Sequence, residues 1–291
     1  MSLIKLNYLW MEVTNRCNSN CVYCGRQWAP PPKDMDLDLF KRIVDECPEA
    51  KIVQTQGFGE PLLYPHIIEA VKYAAKKGKK TKFYTNGALL TEEMSRELVK
   101  AGLGRLVFSV DDMTKREYES IRRGLSWETL LENIRVFHEI REKAHKSDPK
   151  KFRRNSPYTT IRMCKTRENA SQINVSKAFW KKRVDHVSIH PEVDIPSPME
   201  LRGTPYVNGA QINCNHPYQF LSVKSNGDLV VCCRDWFGVY VTANLHNRSV
   251  QEAYRSEEFE KIRESHKTGV NIPHLCHICK TRRPPGRYKK T

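Results

Sequence analysis

Between residues 8 and about 195 the chain alternates short apolar runs with amphipathic stretches, six times over. No other feature restricts the fold as much. Strands are expected over 8–13, 51–56, 80–86, 105–111, 158–165 and 185–193, from their short apolar or alternating runs. Helices are expected between them, over 36–47, 65–78, 91–102, 127–145 and 169–183. Strand-then-helix repeats pair in parallel through right-handed crossovers. Six units are too few for an eight-fold barrel but enough for an open one. The expected fold class is therefore α/β, a partial (β/α)6 TIM barrel.

Chemistry in such folds gathers at the carboxyl ends of the strands. The unusual segments of this chain fall there: three cysteines after the first strand, "GFGEP" (57–61) after the second, "TNG" (85–87) after the third and "SVDD" (109–112) at the fourth. From about residue 206 the rhythm stops. A β-hairpin is expected over 221–233 around Asn226-Gly227, then a helix over 249–266 and a closing Cys-x-x-Cys turn at Cys276 and Cys279. The sequence thus divides into a barrel-like domain, 1–205, and a small C-terminal α+β domain, 206–291.

Ten cysteines in 291 residues need an explanation. No apolar run is long enough to cross a bilayer, and the first residues lack the apolar stretch of a signal peptide. A cytoplasmic location with reduced thiols is expected, which turns the cysteines toward metal or redox chemistry. The net charge of +16 attracts anions. Much of it lies in 141–156, 177–183 and 281–290, without dense interleaved aromatics, so it reads as a solvated face and not a nucleic-acid surface. An anionic small-molecule substrate or partner fits the same charge.

Cys17, Cys21 and Cys24 stand at gaps of four and three. A [4Fe–4S] cluster has four irons, normally each held by one thiolate, so a loop giving three leaves one corner open. Spacing alone also allows a zinc knuckle completed from elsewhere. The motifs around the loop resemble the radical S-adenosylmethionine (SAM) superfamily: Cys-x3-Cys-x2-Cys with an aromatic, Tyr23, before the last cysteine. That resemblance implies a cluster whose open iron chelates SAM and, once reduced, cleaves it to a 5′-deoxyadenosyl radical that abstracts a substrate hydrogen. "GFGEP" is similar to the family's Gly-Gly-Glu segment, with Phe58 in place of one glycine, which gives Gly59 and Glu60 the SAM amino group. By the same resemblance Asn86 belongs to the family's strand-three ending, Ser109 and Asp111 are ribose-binding polar residues, and Arg162 is a partner of the SAM carboxylate or its polar network.

Cys214, Cys232, Cys276 and Cys279 form a second set that spacing alone would assign equally to a zinc ribbon. The stretch from Cys214 to Cys233, with its proline–aromatic pair, apolar strand and glycine turn, resembles the SPASM and twitch domains that follow many radical SAM barrels. The resemblance implies one auxiliary [4Fe–4S] cluster held by these four cysteines, with Cys232 and Cys233 both available for the second place. Cys47 reads as core packing.

The resemblance extends to twitch-type dehydrogenases, which oxidise a carbinol of a sugar, aminocyclitol or related small molecule. A base would then remove the hydroxyl proton: His190 or Glu192 on strand six, or Arg162 or Lys165 on strand five. The alternatives are radical epimerisation, with Cys233 (or less favourably Cys164) as hydrogen donor, and SPASM-type peptide maturation. Strand one begins by residue 8, so no leader-binding module is expected ahead of it. An electron donor such as flavodoxin or ferredoxin follows from the need to reduce the front cluster.

Overall fold

The computed structural model describes residues 6–150, 156–166, 169–191 and 196–279. The six expected barrel strands are present: β1 (Tyr8–Met11), β2 (Ile52–Thr55), β3 (Lys80–Thr85), β4 (Arg105–Ser109), β5 (Tyr158–Lys165) and β6 (His186–Pro191). Helices Leu37–Glu46, Ile67–Lys76, Glu92–Lys100, Trp127–Ser147 and Ile173–Lys181 follow the first, second, third, fourth and fifth of them. Three of these helices begin at a side-chain cap, on Asp36, Thr91 and Ser126. Asp36 and Thr91 each accept a hydrogen bond from the backbone N–H three residues on, satisfying a donor the helix leaves open. Three further strands, β7 (Phe220–Val223), β8 (Asp228–Val230) and β9 (Val241–Asn244), belong to the C-terminal part.

The chain forms two compact units that do not follow chain order. One unit comprises Arg16–Arg26 and Phe58–Asp194. Its strands β3, β4, β5 and β6 lie in that order, all parallel, with Lys82 opposite Arg105, Ser109 opposite Arg162, and Cys164 opposite His190. Side chains alternate across the sheet. Phe83, Leu106, Phe108 and Ile161 fall on one face and are buried. Phe137 of the long helix packs edge-on to Phe108, 6.4 Å between centroids. The opposite face carries Lys82, Tyr84, Ser109, Arg162 and His190, all half-buried.

The other unit comprises Met1–Asn15, Gln27–Gly57 and Ile195–Thr291. Its strand order is β9-β8-β7-β1-β2. Here the structure adds something the sequence reading of a separate C-terminal annex did not contain: β7 pairs in parallel with β1, Tyr8 opposite Phe220 through Met11 opposite Val223. The pairing uses backbone donors and acceptors that would otherwise leave β1 an open edge. The β7–β8 hairpin turns at Gly227, whose φ of 86° suits glycine. The expected helix over 249–266 is two helices, Val250–Tyr254 and Glu257–Thr268, because Ser256 caps the second and breaks the first.

Candidate radical and auxiliary cluster sites

The three-cysteine loop lies wholly in the parallel four-stranded unit. The Cys24 N–H donates to the Cys21 carbonyl at 3.1 Å, which tightens the turn between the second and third thiols. A two-residue ladder fixes the loop to a distant segment: Asn20 pairs with Arg123 and Cys21 with Arg122. Arg122 is the residue that sequence reasoning missed. Its guanidinium is almost fully buried and makes a 2.7 Å ion pair with Asp111. It also donates to the Tyr23 hydroxyl at 2.7 Å and approaches the Cys21 sulfur at 3.7 Å. Burial works against its charge, but the fields of Asp111, Tyr23, Cys21 and Tyr118 together outweigh it and hold it protonated. No short-range signal ties Arg122 to residues a hundred positions earlier.

Asp111 and Tyr23 therefore have partners inside the protein. The Tyr23 hydroxyl donates to Asp111 Oδ2 at 2.6 Å, and the Cys164 N–H donates to Oδ1 at 3.0 Å. Both Asp111 oxygens are thus engaged beneath the loop. Burial raises Tyr23 well above the usual phenol range.

Glu60 is buried, and its carboxylate accepts three hydrogen bonds: from the Thr85 hydroxyl and the Asn86 N–H, each at 2.7 Å, and from the Leu62 N–H at 3.2 Å. Its own N–H donates to the Arg16 carbonyl beside Cys17 at 2.8 Å. Burial outweighs the hydrogen bonds and pushes the carboxyl up to about 7. Asn86 also joins the loop through its side-chain amide, which donates to Asn18 at 2.7 Å. Gly59 lies in the bend before Glu60, and Ser109 and Arg162 are register neighbours on the half-buried face. His190 and Cys164 are paired on the same sheet. Lys165 is exposed at its strand end, and Glu192 lies outside the described residues.

Three thiols on one loop are the donor chemistry that an iron–sulfur cluster takes. Cys17 and Cys24 are half-buried; burial raises both thiols, followed by the fields of Glu60 and Cys21 at Cys17 and of Cys21 at Cys24. Loading such thiols with metal releases their protons.

The second set lies in the other unit. Cys214, Cys232, Cys276 and Cys279 line one cavity together with His216, Arg234 and His266. Cys233 is not part of that lining. The cavity adjoins a small core of Leu201, Ile212, Val231, Tyr240, Ile262 and Leu275, against which Cys214 and Cys232 pack. Cys232 is raised well above the normal thiol range, mainly by burial. The turn after it is fixed by Asp235, whose carboxylate accepts the Val239 and Tyr240 N–H groups, both at 2.8 Å. Cys47 is buried in the core of this unit.

Residues 11–145 match the family described as Radical SAM superfamily, and residues 214–280 match the SPASM family, described as an iron–sulfur cluster-binding domain. The chain therefore carries a radical SAM domain followed by a SPASM domain. Its cofactors are the SAM-binding [4Fe–4S] cluster, an auxiliary [4Fe–4S] cluster and SAM, and its α/β fold agrees with a partial (β/α)6 barrel. Over 110 residues the chain is 40% identical to a tungsten-containing aldehyde ferredoxin oxidoreductase cofactor-modifying protein of Pyrococcus furiosus, covering 36% of this chain and 31% of that protein. The chain spans less than half the length of the curated relatives it matches. Among solved structures, BtrN in complex with AdoMet and 2-DOIA aligns over 94% of this chain and 93% of its own, with 18% identity and a TM-score of 0.57. The protein anSMEcpe with bound AdoMet and a Cp18Cys peptide aligns over 94% and 86%, with 16% identity and a TM-score of 0.66. At such identity these likenesses concern the fold. Among the described residues no helix is long and apolar enough to cross a membrane.

Proposed function

We propose that this radical SAM protein dehydrogenates a carbinol of a sugar, aminocyclitol or related small molecule in the cytoplasm. The observation that carries this reading is that one unit has a cavity lined by four cysteines and the other has a three-cysteine loop. Four thiolates close an auxiliary cluster to substrate and leave it an electron acceptor. Likeness over nearly the full length of BtrN, whose bound small molecule is 2-DOIA, supports a small substrate. When bound, the front cluster and SAM supply hydrogen-atom abstraction from carbon, and the auxiliary cluster takes the second electron.

The chain's own residues prepare that event. Cys17, Cys21 and Cys24 would hold the front cluster and leave it able to bind SAM. Glu60, with Gly59 and Asn86, receives the SAM amino group; Ser109 and Arg162 receive its ribose and carboxylate side. Tyr23 and Asp111 act through Arg122, which fixes Cys21. His190, paired with Cys164 on the half-buried face, accepts the hydroxyl proton as the carbonyl forms. A flavodoxin or ferredoxin supplies the reducing electron.

Anaerobic reconstitution followed by iron analysis and turnover tests this reading. About eight irons per chain, and 5′-deoxyadenosine formed together with a carbonyl product, support it. About four irons with bound zinc would remove the electron acceptor and the dehydrogenase with it. A second reading has one observation in its favour: Cys233 stands outside the lining of the four-cysteine cavity, and hydrogen donation from its thiol to a substrate radical would give epimerisation. Solvent deuterium incorporated at carbon, and lost in Cys233→Ala, selects that reading.

A further inference from the structure

The half-buried face of the β3–β4–β5 sheet carries more positive charge than binding SAM requires. Lys82 and Arg105 are opposite one another, and Arg162 lies further toward the carboxyl end on β5. Lys82 Nζ lies 4.8 Å from the centroid of the Tyr84 ring, and the Arg162 guanidinium lies 5.4 Å from the same ring. Arg105 lies over Tyr158 at 4.7 Å. None of the three cations takes part in the ion pairs found among the described residues. Semi-buried charges without a counter-charge are costly, and a bound anion relieves that cost.

Two further observations concern the same face. Burial tends to raise the Tyr84 phenol, yet Lys82 and Arg162 together bring it below its ordinary value, so the local field favours negative charge. Thr160, opposite Val107 on β5 and 4% exposed, has a hydroxyl with no hydrogen-bond partner among the described residues. A buried hydroxyl in that condition accommodates a ligand oxygen.

We propose that Lys82, Arg105 and Arg162, with Thr160, form a binding floor for an anionic group, so that the substrate is a small molecule carrying a phosphate or a carboxylate. The assignment rests on the reading of this protein as a small-molecule radical enzyme. Arg162 is shared with the SAM carboxylate, whereas Lys82 and Arg105 lie toward the amino ends of their strands and serve the substrate. Isolated cations on a sheet face recognise phosphate and carboxylate by the same charge-assisted hydrogen bonds.

The test is calorimetric titration of the cluster-loaded protein, saturated with SAM, with inorganic phosphate in one arm and citrate in the other. Saturable binding of either anion is expected, and the arm that binds tells phosphate from carboxylate. Lys82→Met and Arg105→Met, each checked for native circular dichroism, should weaken that binding at least fivefold, and Lys82→Arg should restore it. Absence of saturable binding in both arms, loss of binding when SAM is present, or unchanged affinity in both methionine variants overturns the proposal. Formation of 5′-deoxyadenosine under reductant, measured in the same preparations, reports separately on the radical reading: cleavage without anion binding sinks only the floor, and anion binding without cleavage sinks only the radical reading.

Discussion

Glu60 illustrates how a single residue couples folding to ligand binding. Its folded carboxyl titrates near 7 against 4.5 for the free group, because burial disfavours the charge. A raised folded value means the neutral form stabilises the fold below about pH 4.5 and that this contribution is lost as pH rises through 7. The loss amounts to about 3 kcal/mol at most. Without SAM, stability should therefore decline from pH 5 to 7.5, and Glu60→Gln should flatten that decline in thermal denaturation; superimposable pH profiles would contradict the assignment. The same substitution should weaken SAM binding about tenfold, since the SAM amino group loses a charged hydrogen-bond acceptor. Arg122 makes the complementary case. Arg122→Met leaves Asp111 charged and buried without its partner, at a cost of about 3–5 kcal/mol. Arg122→Lys keeps the charge but cannot reach Asp111, Tyr23 and Cys21 at once. Iron retention by the front loop should fall in the order wild type, lysine, methionine; equal retention would show that Arg122 does not hold the loop.

At the scale of elements, the close approach at the end of β2 gives a sharp prediction. A Cβ on Gly57 would lie 2.1 Å from Glu12 Oε1. Glu12 is itself buried in a 2.7 Å ion pair with Lys224, beyond the end of β7. Gly57→Ala should therefore lower the melting temperature strongly, by more than an exposed Gly→Ala change such as Gly203→Ala, where the added carbon meets nothing. Strands and helices of the barrel were legible in the sequence because each carries its own apolar period, and "GFGEP" and "TNG" because they are short and contiguous. The pairing of β7 with β1 was not, since 212 residues separate Tyr8 from Phe220 and no local pattern encodes which edge a hairpin adopts. The break at Ser256 was missed because its capping serine lies inside a continuous helical period.

At the scale of the whole molecule, two cysteine sets occupy two compact units, and each set has its own protein support. The grouping of seven cysteines into a set of three and a set of four was legible from spacing and resemblance. Their supports were not, because Arg122 and the Asp235 turn become neighbours of the thiols only in the folded chain. Cys232→Ser should halve the iron content to about four per chain, while Cys233→Ala should leave it near eight, because Cys232 lines the cavity and Cys233 does not. The reverse pattern would move the ligand to Cys233 and end the epimerase reading. The most direct test of the account concerns the proposed open corner of the front cluster. Electron paramagnetic resonance of the reduced Cys232→Ser protein, which isolates that cluster, should show a signal that changes when SAM is added. A spectrum indifferent to saturating SAM would mean that protein ligands fill all four corners, and the radical chemistry assigned to this chain would have no place to begin.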